Sequence, residues 1–403
     1  MQNPIALNVQ MTQEGRVTLP SINPLQPGAR LHYYSESGTE LIPIQLDFQG
    51  TIDYPPQSKE EIWKQAASND KSTIDHWIPS WLTEFRENKK RFDFNENSVM
   101  KLFKKEAYKP IICAGSGPSL KKNAYLLNKH TIERSSPFDQ SREIVQGGGR
   151  GDIKIITGTH NFGFLEDLEI MTENDYYMTL DAGPITISEL TEGGLKYKPE
   201  EYWERTKNRT LISTIYGNHE LLAKWKGPIY FFHTSWSEDT TKKEIFDTKA
   251  VDYRKVPVFA TGGNVLGACF YCSRTILGAS STIMIGADFS FGYDRKFHSW
   301  DSGYDAKFQG VIPCTDIFGN RVFTWPSYYN FKLWFDFVAM QGNSGLNHLM
   351  INATEGGILG AYPNGNIRNI IQMDLKSALK MFTIHESLPE YVEKAGELPL
   401  VLF

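Results

Sequence analysis

The sequence Pro-Ile-Ile-Cys-Ala-Gly-Ser-Gly-Pro-Ser-Leu, residues 110–120, decides the fold of this chain. An apolar run leads into a turn with two glycines, and a helix-forming sequence follows. This order predicts a strand, a sharp turn and a helix start, because glycine lets the backbone turn tightly and approach a neighbour closely. N–H groups at a helix start commonly bind phosphate, although a plain strand-to-helix turn is the alternative. The residues predicted to contact phosphate are Gly115, Ser116, Gly117 and Ser119.

The turn departs from two familiar nucleotide-binding motifs. No Gly-Lys-Ser/Thr follows it, so it is not a Walker A loop. Leu120 stands where a dinucleotide fingerprint has its third glycine. The sequence therefore predicts a phosphate-binding turn without specifying the nucleotide.

Short β-rich runs alternate with helical patterns from residue 107 onward. The β-rich runs are 110–114, 153–157, 175–180, 210–216, 228–233 and 281–286. The helical patterns are 120–129, 161–171, 218–225 and 264–277. This alternation predicts an α/β fold, with a Rossmann-like, mostly parallel sheet covered by helices on both faces. Sites in such sheets lie beyond the carboxyl ends of the strands.

Polar residues follow several of the predicted strands, which makes them site candidates. His160, Asn161, Asp181, Asn218 and Asp288 each come directly after a β-rich run or the turn that ends it. A carboxylate in such a place can hold Mg²⁺ or a ribose hydroxyl, or it can simply fix a loop. His298 lies ten residues past Asp288, where a neutral imidazole could take a proton from an acceptor hydroxyl. A loop histidine at the surface is the alternative.

A second glycine turn, Thr261-Gly-Gly-Asn264, precedes the helical pattern 264–277. It could hold the base or ribose of the same nucleotide, or its glycines could serve close packing of helix against sheet. We expect a Cβ at Gly117 or Gly263 to weaken nucleotide binding.

The remainder of the chain has a less regular pattern. Residues 1–106 form an N-terminal arm with β-like pieces and a helical prelude that begins near Ser58. We predict a nucleotide-binding core at 107–290, a C-terminal part of the same catalytic unit at 291–375 and a tail at 376–403. The stretch 316–322 predicts a hairpin with Gly-Asn at its turn.

Composition excludes several classes of protein. The chain has 403 residues and a net charge of −5, which argues against non-specific nucleic-acid binding. No apolar run is long enough to span a bilayer, and the first residues lack the pattern of a secretory signal, so we expect a cytoplasmic protein. The four cysteines are scattered, and the pair Cys269 and Cys272 falls in a helical pattern where buried, unreactive thiols are expected.

The ordered set of motifs resembles one family, the archaeal 6-hydroxymethylpterin diphosphokinase-like (MptE-like) group, which includes the motility accessory factors (Maf). The resemblance covers about 107–365. The first turn and Gly-Ala-Asp-Phe at 286–289 are also similar to bacterial CMP-sialic-acid sialyltransferases. The motifs that carry it, beyond residues 114–120, are Leu180-Asp181, 261–264, 277–279, 286–291, Gly319-Asn320 and 352–357, the last of which contains Glu355.

The resemblance implies a Rossmann-like transferase that uses a nucleotide-activated donor. By position, the turn at 115–119 would meet the donor phosphates, and Gly262, Gly263 and Asn264 would lie against the nucleoside. His298 falls near the place where the sialyltransferases keep a catalytic histidine, although the spacing differs.

Three functions fit these observations. The first is a glycosyltransferase with a CMP-sugar donor and a glycan or protein acceptor. The second is a diphosphokinase that moves pyrophosphate from ATP to a pterin-like acceptor, with Mg²⁺ on Asp181 or Asp288. Neither glycine turn contains the lysine that phosphoryl transfer favours, so we prefer the glycosyltransferase. The third is a non-catalytic nucleotide-binding module.

Overall fold

The computed structural model describes most of the region from residue 77 to residue 383, together with four short strands nearer the start. The described ranges are 77–128, 149–234, 251–252, 254–300, 306, 311–341, 348–361 and 370–383. The four early strands form two antiparallel pairs, β1 (Gln10–Met11) with β2 (Val17–Thr18) and β3 (Arg30–Tyr34) with β4 (Glu40–Gln45). The predicted helix start at Ser58 lies outside the described residues.

A nine-stranded parallel sheet is the centre of the fold. Its strands are β5 (Pro110–Ala114), β6 (Lys154–Gly158), β7 (Tyr176–Thr179), β8 (Thr210–Thr214), β9 (Ile229–Thr234), β10 (Val258–Phe259), β11 (Ser281–Ile285), β14 (Leu349–Asn352) and β15 (Ile370–Gln372). Their spatial order is β10-β9-β8-β7-β6-β5-β11-β14-β15, with every pair parallel. The predicted Rossmann-like α/β fold is confirmed.

The strands are apolar on both sides because helices cover both faces of the sheet. In β5, Ile111 and Cys113 belong to one buried cluster, whereas Ile112 and Ala114 belong to the cluster on the opposite face. Successive side chains of a strand point to opposite faces, so a continuous apolar run fills two cores at once.

Helices connect the strands and supply the layers. Their bounds are 77–88, Leu120–Asn123, Phe162–Asp167, Ile185–Glu192, Pro199–Arg205, His219–Lys224, Val265–Tyr271, Pro326–Gln341 and Leu375–Thr383. Short 3₁₀ turns are Val99–Leu102, Ala124–Leu127, Thr159–Asn161 and Thr206–Asn208, and Cys272–Ile276 is a π-helical turn. The helix predicted at 264–277 therefore ends in a π turn.

The helical segment before β5 packs on the sheet. Asn88 donates from Nδ2 to the carbonyls of Ile215 (3.2 Å) and Gly217 (2.7 Å), just beyond the end of β8. Phe85 and Phe94 are fully buried in the same apolar cluster as the sheet residues. Residues 77–106 thus share the core of the sheet that follows them.

The chain after β11 contains the predicted hairpin, and its last described helix, Leu375–Thr383, lies where only a tail was predicted. Strands β12 (Ile312–Thr315) and β13 (Arg321–Thr324) pair antiparallel, and Gly319 in their turn has φ 85°. The tail predicted from residue 376 begins inside the Leu375–Thr383 helix, whose Leu375 and Leu379 are fully buried.

An ion pair buried at the amino ends of β6 and β7 fixes this edge of the sheet. The guanidinium of Arg150 donates to Asp175 Oδ1 (2.8 Å) and Oδ2 (2.6 Å), and both residues are buried. Arg150 also donates to the carbonyls of Ile153 and Ile170. Residues 129–148, which precede this ion pair in the chain, lie outside the described ranges.

Two further predictions concern the membrane and the thiols. Across the described residues, no helix combines the length and the apolar character needed to cross a bilayer.

Cys269 and Cys272 are buried, and burial raises the pKa of both thiols well above the ordinary value. The prediction that this pair is buried is confirmed.

Candidate functional site

The sheet changes direction between β5 and β11. From β5 the chain adds strands outward on one side as far as β10, and it then returns to place β11 on the other side of β5. Ligands of open α/β sheets bind at such a reversal, in the crevice beyond the carboxyl ends of the two strands. The first glycine turn follows β5, and Asp288 lies three residues past the end of β11, so both lie at this point.

The loops that follow β5 and β11 are in direct contact. Gly115 N–H donates to the Ile285 carbonyl (2.8 Å), and Gly117 N–H donates to the Gly286 carbonyl (2.9 Å). A Cβ on Gly115 would lie 2.4 Å from Gly286 O, and a Cβ on Gly117 would lie 2.0 Å from Asp288 Oδ2. Contacts this short are not tolerated, so the close approach of the two loops already requires both glycines.

Few N–H groups of the first turn are available to a ligand. The amides of Gly115 and Gly117 are engaged with the β11 loop, and Ser119 N–H donates to Asp288 Oδ2 (3.3 Å). Pro118 has no N–H, and the helix that follows has only four residues. Among the amides of 115–119, that of Ser116 alone makes no hydrogen bond to another described residue. Any phosphate contact by the backbone of this turn therefore rests on Ser116.

Asp288 is a buried carboxylate held by the first turn. Ser119 Oγ donates to its Oδ2 at 2.7 Å, in addition to the Ser119 N–H. Burial raises the pKa of Asp288 to about 6, while the Ser119 hydrogen bonds and the charge of Lys122 act in the opposite direction. The carboxylate joins the ends of β5 and β11, and it is ionised at neutral pH.

Aromatic and polar side chains of residues 298–300 lie against the first turn. Together with His160 they form what we call the wall. Ser299 N–H donates to the Ser116 carbonyl (2.9 Å), which fixes the segment against the first turn. The imidazole of His298 stacks on the Trp300 indole, with ring centres 4.6 Å apart and planes 8° apart. The His160 ring centre lies 6.0 Å from that of Trp300.

Both histidines of this wall are neutral at physiological pH. Burial lowers the pKa of His298 to about 4, and a hydrogen bond with the Ser116 backbone partly opposes that shift. Burial lowers the pKa of His160 to about 3, and the neighbouring His298 adds to the effect. A neutral imidazole can accept one proton, which is the state that a general base requires.

Several buried polar atoms around this wall have no hydrogen-bond partner within the described structure. They are His298 Nδ1, Ser299 Oγ, Trp300 Nε1 and Asn161 Oδ1. Asn161 belongs to the same place, because its Nδ2 donates to the Gly115 carbonyl (3.1 Å) and to Thr157 Oγ1 (2.8 Å). Buried polar groups in proteins are normally paired, so four unpaired atoms around one turn indicate a place where another molecule forms hydrogen bonds.

The second glycine turn lies at the same edge of the sheet. The helix that it opens, Val265–Tyr271, brings Leu266 Cδ2 to 3.2 Å from the Cβ position of Gly115. Asn264 caps this helix by accepting from Gly267 N–H (2.8 Å). Gly262 and Gly263 have φ values of 62° and 80°, which non-glycine residues rarely adopt. Capping and conformation thus explain these residues, and their contact with a nucleoside stays a prediction.

Two predicted site residues lie away from this crevice. Asp181 follows β7 and is exposed, and β6 and β5 lie between β7 and β11. Three strand spacings separate the ends of β7 and β11 by about 14 Å, so one metal ion cannot join Asp181 to Asp288. Asn218 caps the His219–Lys224 helix by accepting from Glu220 N–H and Leu221 N–H. The structure does not bring either residue to the first turn.

Glu355 lies on the other side of Asp288. Its Oε1 accepts from Leu375 N–H (2.9 Å) and Asn123 Nδ2 (3.2 Å), so it fixes the start of the last helix. The next residue approaches the site more closely, because a Cβ on Gly356 would lie 3.6 Å from Asp288 Oδ1. Among the described residues, no group of three or more His, Cys, Asp or Glu side chains is arranged to hold a metal ion.

Two residues of the wall, Ser299 and Trp300, were not among the predicted site residues, although they follow the predicted His298 in sequence. His160 was selected with Asn161, because both follow β6. Sequence carries no signal for the unpaired state of Ser299 and Trp300, because that depends on which distant groups surround them.

Comparison with known proteins gives one distant likeness. No family model matches the sequence, and no curated protein matches it. The fold is similar to a solved structure described as the MAf glycosyltransferase from Magnetospirillum magneticum AMB-1, with a TM-score of 0.44 and 13% identity over 75% of this chain. The match covers 41% of that chain, so this protein spans about two fifths of its length. The resemblances to MptE-like proteins and to sialyltransferases stay predictions.

Proposed function

We infer that the protein is a glycosyltransferase that binds a nucleotide-activated sugar in the crevice beyond β5, β6 and β11. One observation carries this proposal: two neutral imidazoles and four unpaired buried polar atoms surround the Gly115–Ser116 turn at the sheet's reversal point. That arrangement offers a proton acceptor and uncharged hydrogen-bonding groups, which suit a donor rich in hydroxyl and phosphate oxygens.

The reaction proposed for this site is the displacement of a nucleotide by an acceptor hydroxyl. The acceptor oxygen forms a bond to the anomeric carbon, and the bond from that carbon to the donor phosphate oxygen breaks. The leaving phosphate keeps the bonding electron pair, and the acceptor proton passes to His298. A nearby anionic donor would raise the pKa of His298 from about 4, because negative charge favours the imidazolium.

The other groups have supporting roles in this proposal. Ser116 N–H and its hydroxyl would donate to the phosphate, since the remaining amides of the turn are engaged. Ser299 Oγ, Trp300 Nε1 and Asn161 Oδ1 would bind donor or acceptor hydroxyls. Asp288 would fix the turn through Ser119, while a direct catalytic role for Asp288 stays a prediction.

The choice of a CMP-type donor rests on the sequence resemblance to the sialyltransferases. The diphosphokinase alternative needs Mg²⁺ beside a triphosphate and cations to neutralise it. Lys122, whose charge lowers the pKa of Asp288, is a cation near the first turn that favours this alternative. A non-catalytic nucleotide-binding module would need none of the proton chemistry.

Calorimetric titration with CMP, CDP, GDP, UDP, AMP and ATP, each with and without EDTA, separates the three functions. The proposal predicts that CMP binds and that EDTA leaves its affinity unchanged. Tight binding of ATP alone, abolished by EDTA, would favour the diphosphokinase. If none of the six binds, the glycosyltransferase proposal is wrong. If a nucleotide binds, His298→Gln should lower turnover by about 10²-fold or more without weakening nucleotide binding, whereas a binding module has no turnover to lose.

A further inference from the structure

A cluster of lysine and aromatic side chains covers the surface that precedes β5. Tyr108 is 89% exposed, Phe103 is 48% exposed and Met100 is 38% exposed, although all three side chains are large and apolar. Four exposed lysines lie between and beside them. We call this surface the lysine–aromatic patch, and its members are Met100, Lys101, Phe103, Lys104, Lys105, Tyr108 and Lys109.

The backbone beneath the patch is wound into tight turns. N–H groups of Phe103, Lys105, Ala107 and Lys109 each donate to the carbonyl three residues earlier. One short segment of tightly turned backbone therefore carries all seven side chains of the patch.

The same backbone is held rigidly against the end of the π-helical turn. N–H groups of Lys104, Glu106 and Tyr108 donate to the carbonyls of residues 276, 277 and 278 at 2.7–3.1 Å. Lys104 and Tyr108 have φ values of 58° and 66°, which cost energy for residues with a side chain. The hydrogen bonds to residues 276–278 hold Tyr108 in this unfavourable conformation. Its exposed side chain does not contribute to the core.

The charge of the patch is opposite to that of the whole chain. The chain carries a net charge of −5, whereas residues 100–109 contain four lysines and one acid, Glu106. Glu106 is buried and accepts from the hydroxyl of Tyr176 (3.2 Å). Within the described structure, no carboxylate pairs with Lys101, Lys104 or Lys105. The patch is a locally cationic surface on an acidic protein.

We propose that the lysine–aromatic patch docks the protein on an anionic lipid surface. Lysines near a membrane are attracted by acidic headgroups, and exposed aromatic side chains bury in the interfacial region. The exposed Phe103 and Tyr108 can bury in the interfacial region of a bilayer, and the net charge of −5 of the whole chain argues against a nucleic acid as the partner. This docking needs no membrane-spanning helix.

The position of the patch suits an enzyme working at a surface. It precedes β5, so it lies at the amino edge of the sheet, while the candidate site lies beyond the carboxyl ends of the strands. A protein bound through the patch keeps its crevice directed away from the headgroups and open to a donor in solution.

Vesicle co-sedimentation of the full chain tests the proposal. Vesicles of phosphatidylcholine alone are compared with an equimolar mixture of phosphatidylcholine and phosphatidylglycerol, at low and high salt. One variant combines Phe103→Ser with Tyr108→Asn, since asparagine tolerates positive φ. Another combines Lys101→Glu with Lys105→Glu. The matched control combines Leu195→Ser with Lys198→Glu, which changes an exposed leucine and lysine elsewhere. Circular dichroism verifies that each variant is folded.

We expect the parent protein to bind the phosphatidylglycerol vesicles at least tenfold more strongly than the neutral ones, and salt to reduce this binding. Each patch variant should lose at least tenfold in partitioning, and the control should bind like the parent. Equal binding to both vesicle types, or an equal loss in the control, would overturn the proposal. Binding of soluble polyglutamate without binding of vesicles would also overturn it, by assigning the patch to an acidic protein.

Discussion

Ser119 Oγ donates to Asp288 Oδ2 at 2.7 Å, and this hydrogen bond joins the ends of two strands that are 169 residues apart in sequence. The Ser119 N–H contacts the same oxygen. Because burial raises the pKa of Asp288, these two donors oppose that shift and favour the ionised carboxylate, as does the charge of Lys122. The candidate site is therefore built on a buried charge that the first turn must satisfy.

Replacing Ser119 by alanine should destabilise the protein in a pH-dependent way. The change removes one donor to a buried carboxylate, so it should cost about 1.5–3 kcal/mol of unfolding free energy at pH 8. The loss should shrink at pH 5, below the pKa of about 6, because a protonated Asp288 needs the donor less. Urea unfolding at both pH values measures this. Ser188→Ala, on an exposed helix, is the control, and equal losses at both pH values would contradict the account.

Adding a methyl group at Gly117 should disturb Asp288 whether or not a nucleotide binds there. The new Cβ would lie 2.0 Å from Asp288 Oδ2 and 2.7 Å from the Gly286 carbonyl oxygen. We expect Gly117→Ala to lower the unfolding free energy by about 1–3 kcal/mol, and by less in an Asp288→Ala background. Gly183→Ala, whose Cβ would have no neighbour closer than 3.6 Å, is the matched control. Additive effects of Gly117→Ala and Asp288→Ala would refute this contact.

The buried pair of Arg150 and Asp175 should be essential for folding. Asp175→Ala leaves the guanidinium of Arg150 buried without its carboxylate, which should cost about 3–5 kcal/mol. Glu204→Ala, which removes the exposed partner of Lys226, should cost about 1 kcal/mol or less. Thermal and chemical unfolding of the two variants give the comparison. Similar losses in both would show that burial of the first pair has no energetic consequence.

Histidines with lowered pKa values should make the protein less stable in mild acid. The pKa values of His160, His233, His298 and His348 are lowered by burial to between about 3 and about 4, from 6.5. Below pH 6.5 the unfolded chain binds protons that the folded chain does not, so the unfolding free energy falls as pH falls toward 4. Asp288 acts oppositely between pH 6 and 3.8, because its folded pKa is raised.

The variant His298→Gln isolates one part of this dependence. Its unfolding free energy should fall less steeply than that of the parent between pH 6.5 and pH 4, when both are followed by urea unfolding at several pH values. Parallel curves for the two proteins would mean that His298 titrates normally in the folded state.

The fold was largely predictable because local patterns determine it. Apolar runs such as 110–114 and glycine turns such as 115–120 placed most strands within one or two residues of the observed ones. The Ile185–Glu192 and Pro199–Arg205 helices were not predicted. Their residues are largely polar and partly exposed, so their periodicity is weak, and packing on the sheet decides their structure.

The site was predictable only in part, because its chemistry depends on contacts between distant segments. The strand-end rule placed Asn161 and Asp288 at the same edge of the sheet, and Ser119 of the first glycine turn and His298 lie there too. The same rule selected Asn218, which caps a helix, and it could not show that the β11 loop occupies the amides of the first turn. Those pairings join residues more than 160 positions apart, and no local pattern encodes them.

The most direct test of the central claim measures ligand-free stability and nucleotide affinity in Ser299→Ala. Ser299 Oγ is buried without a partner in the described structure, so its removal should leave the unfolding free energy unchanged or raised. If the crevice binds the donor nucleotide, the same variant should bind the tightest nucleotide of the calorimetric screen at least tenfold more weakly, a change of about 1.4 kcal/mol. Parent-like affinity together with a clear loss of stability would contradict the claim that this atom serves a ligand.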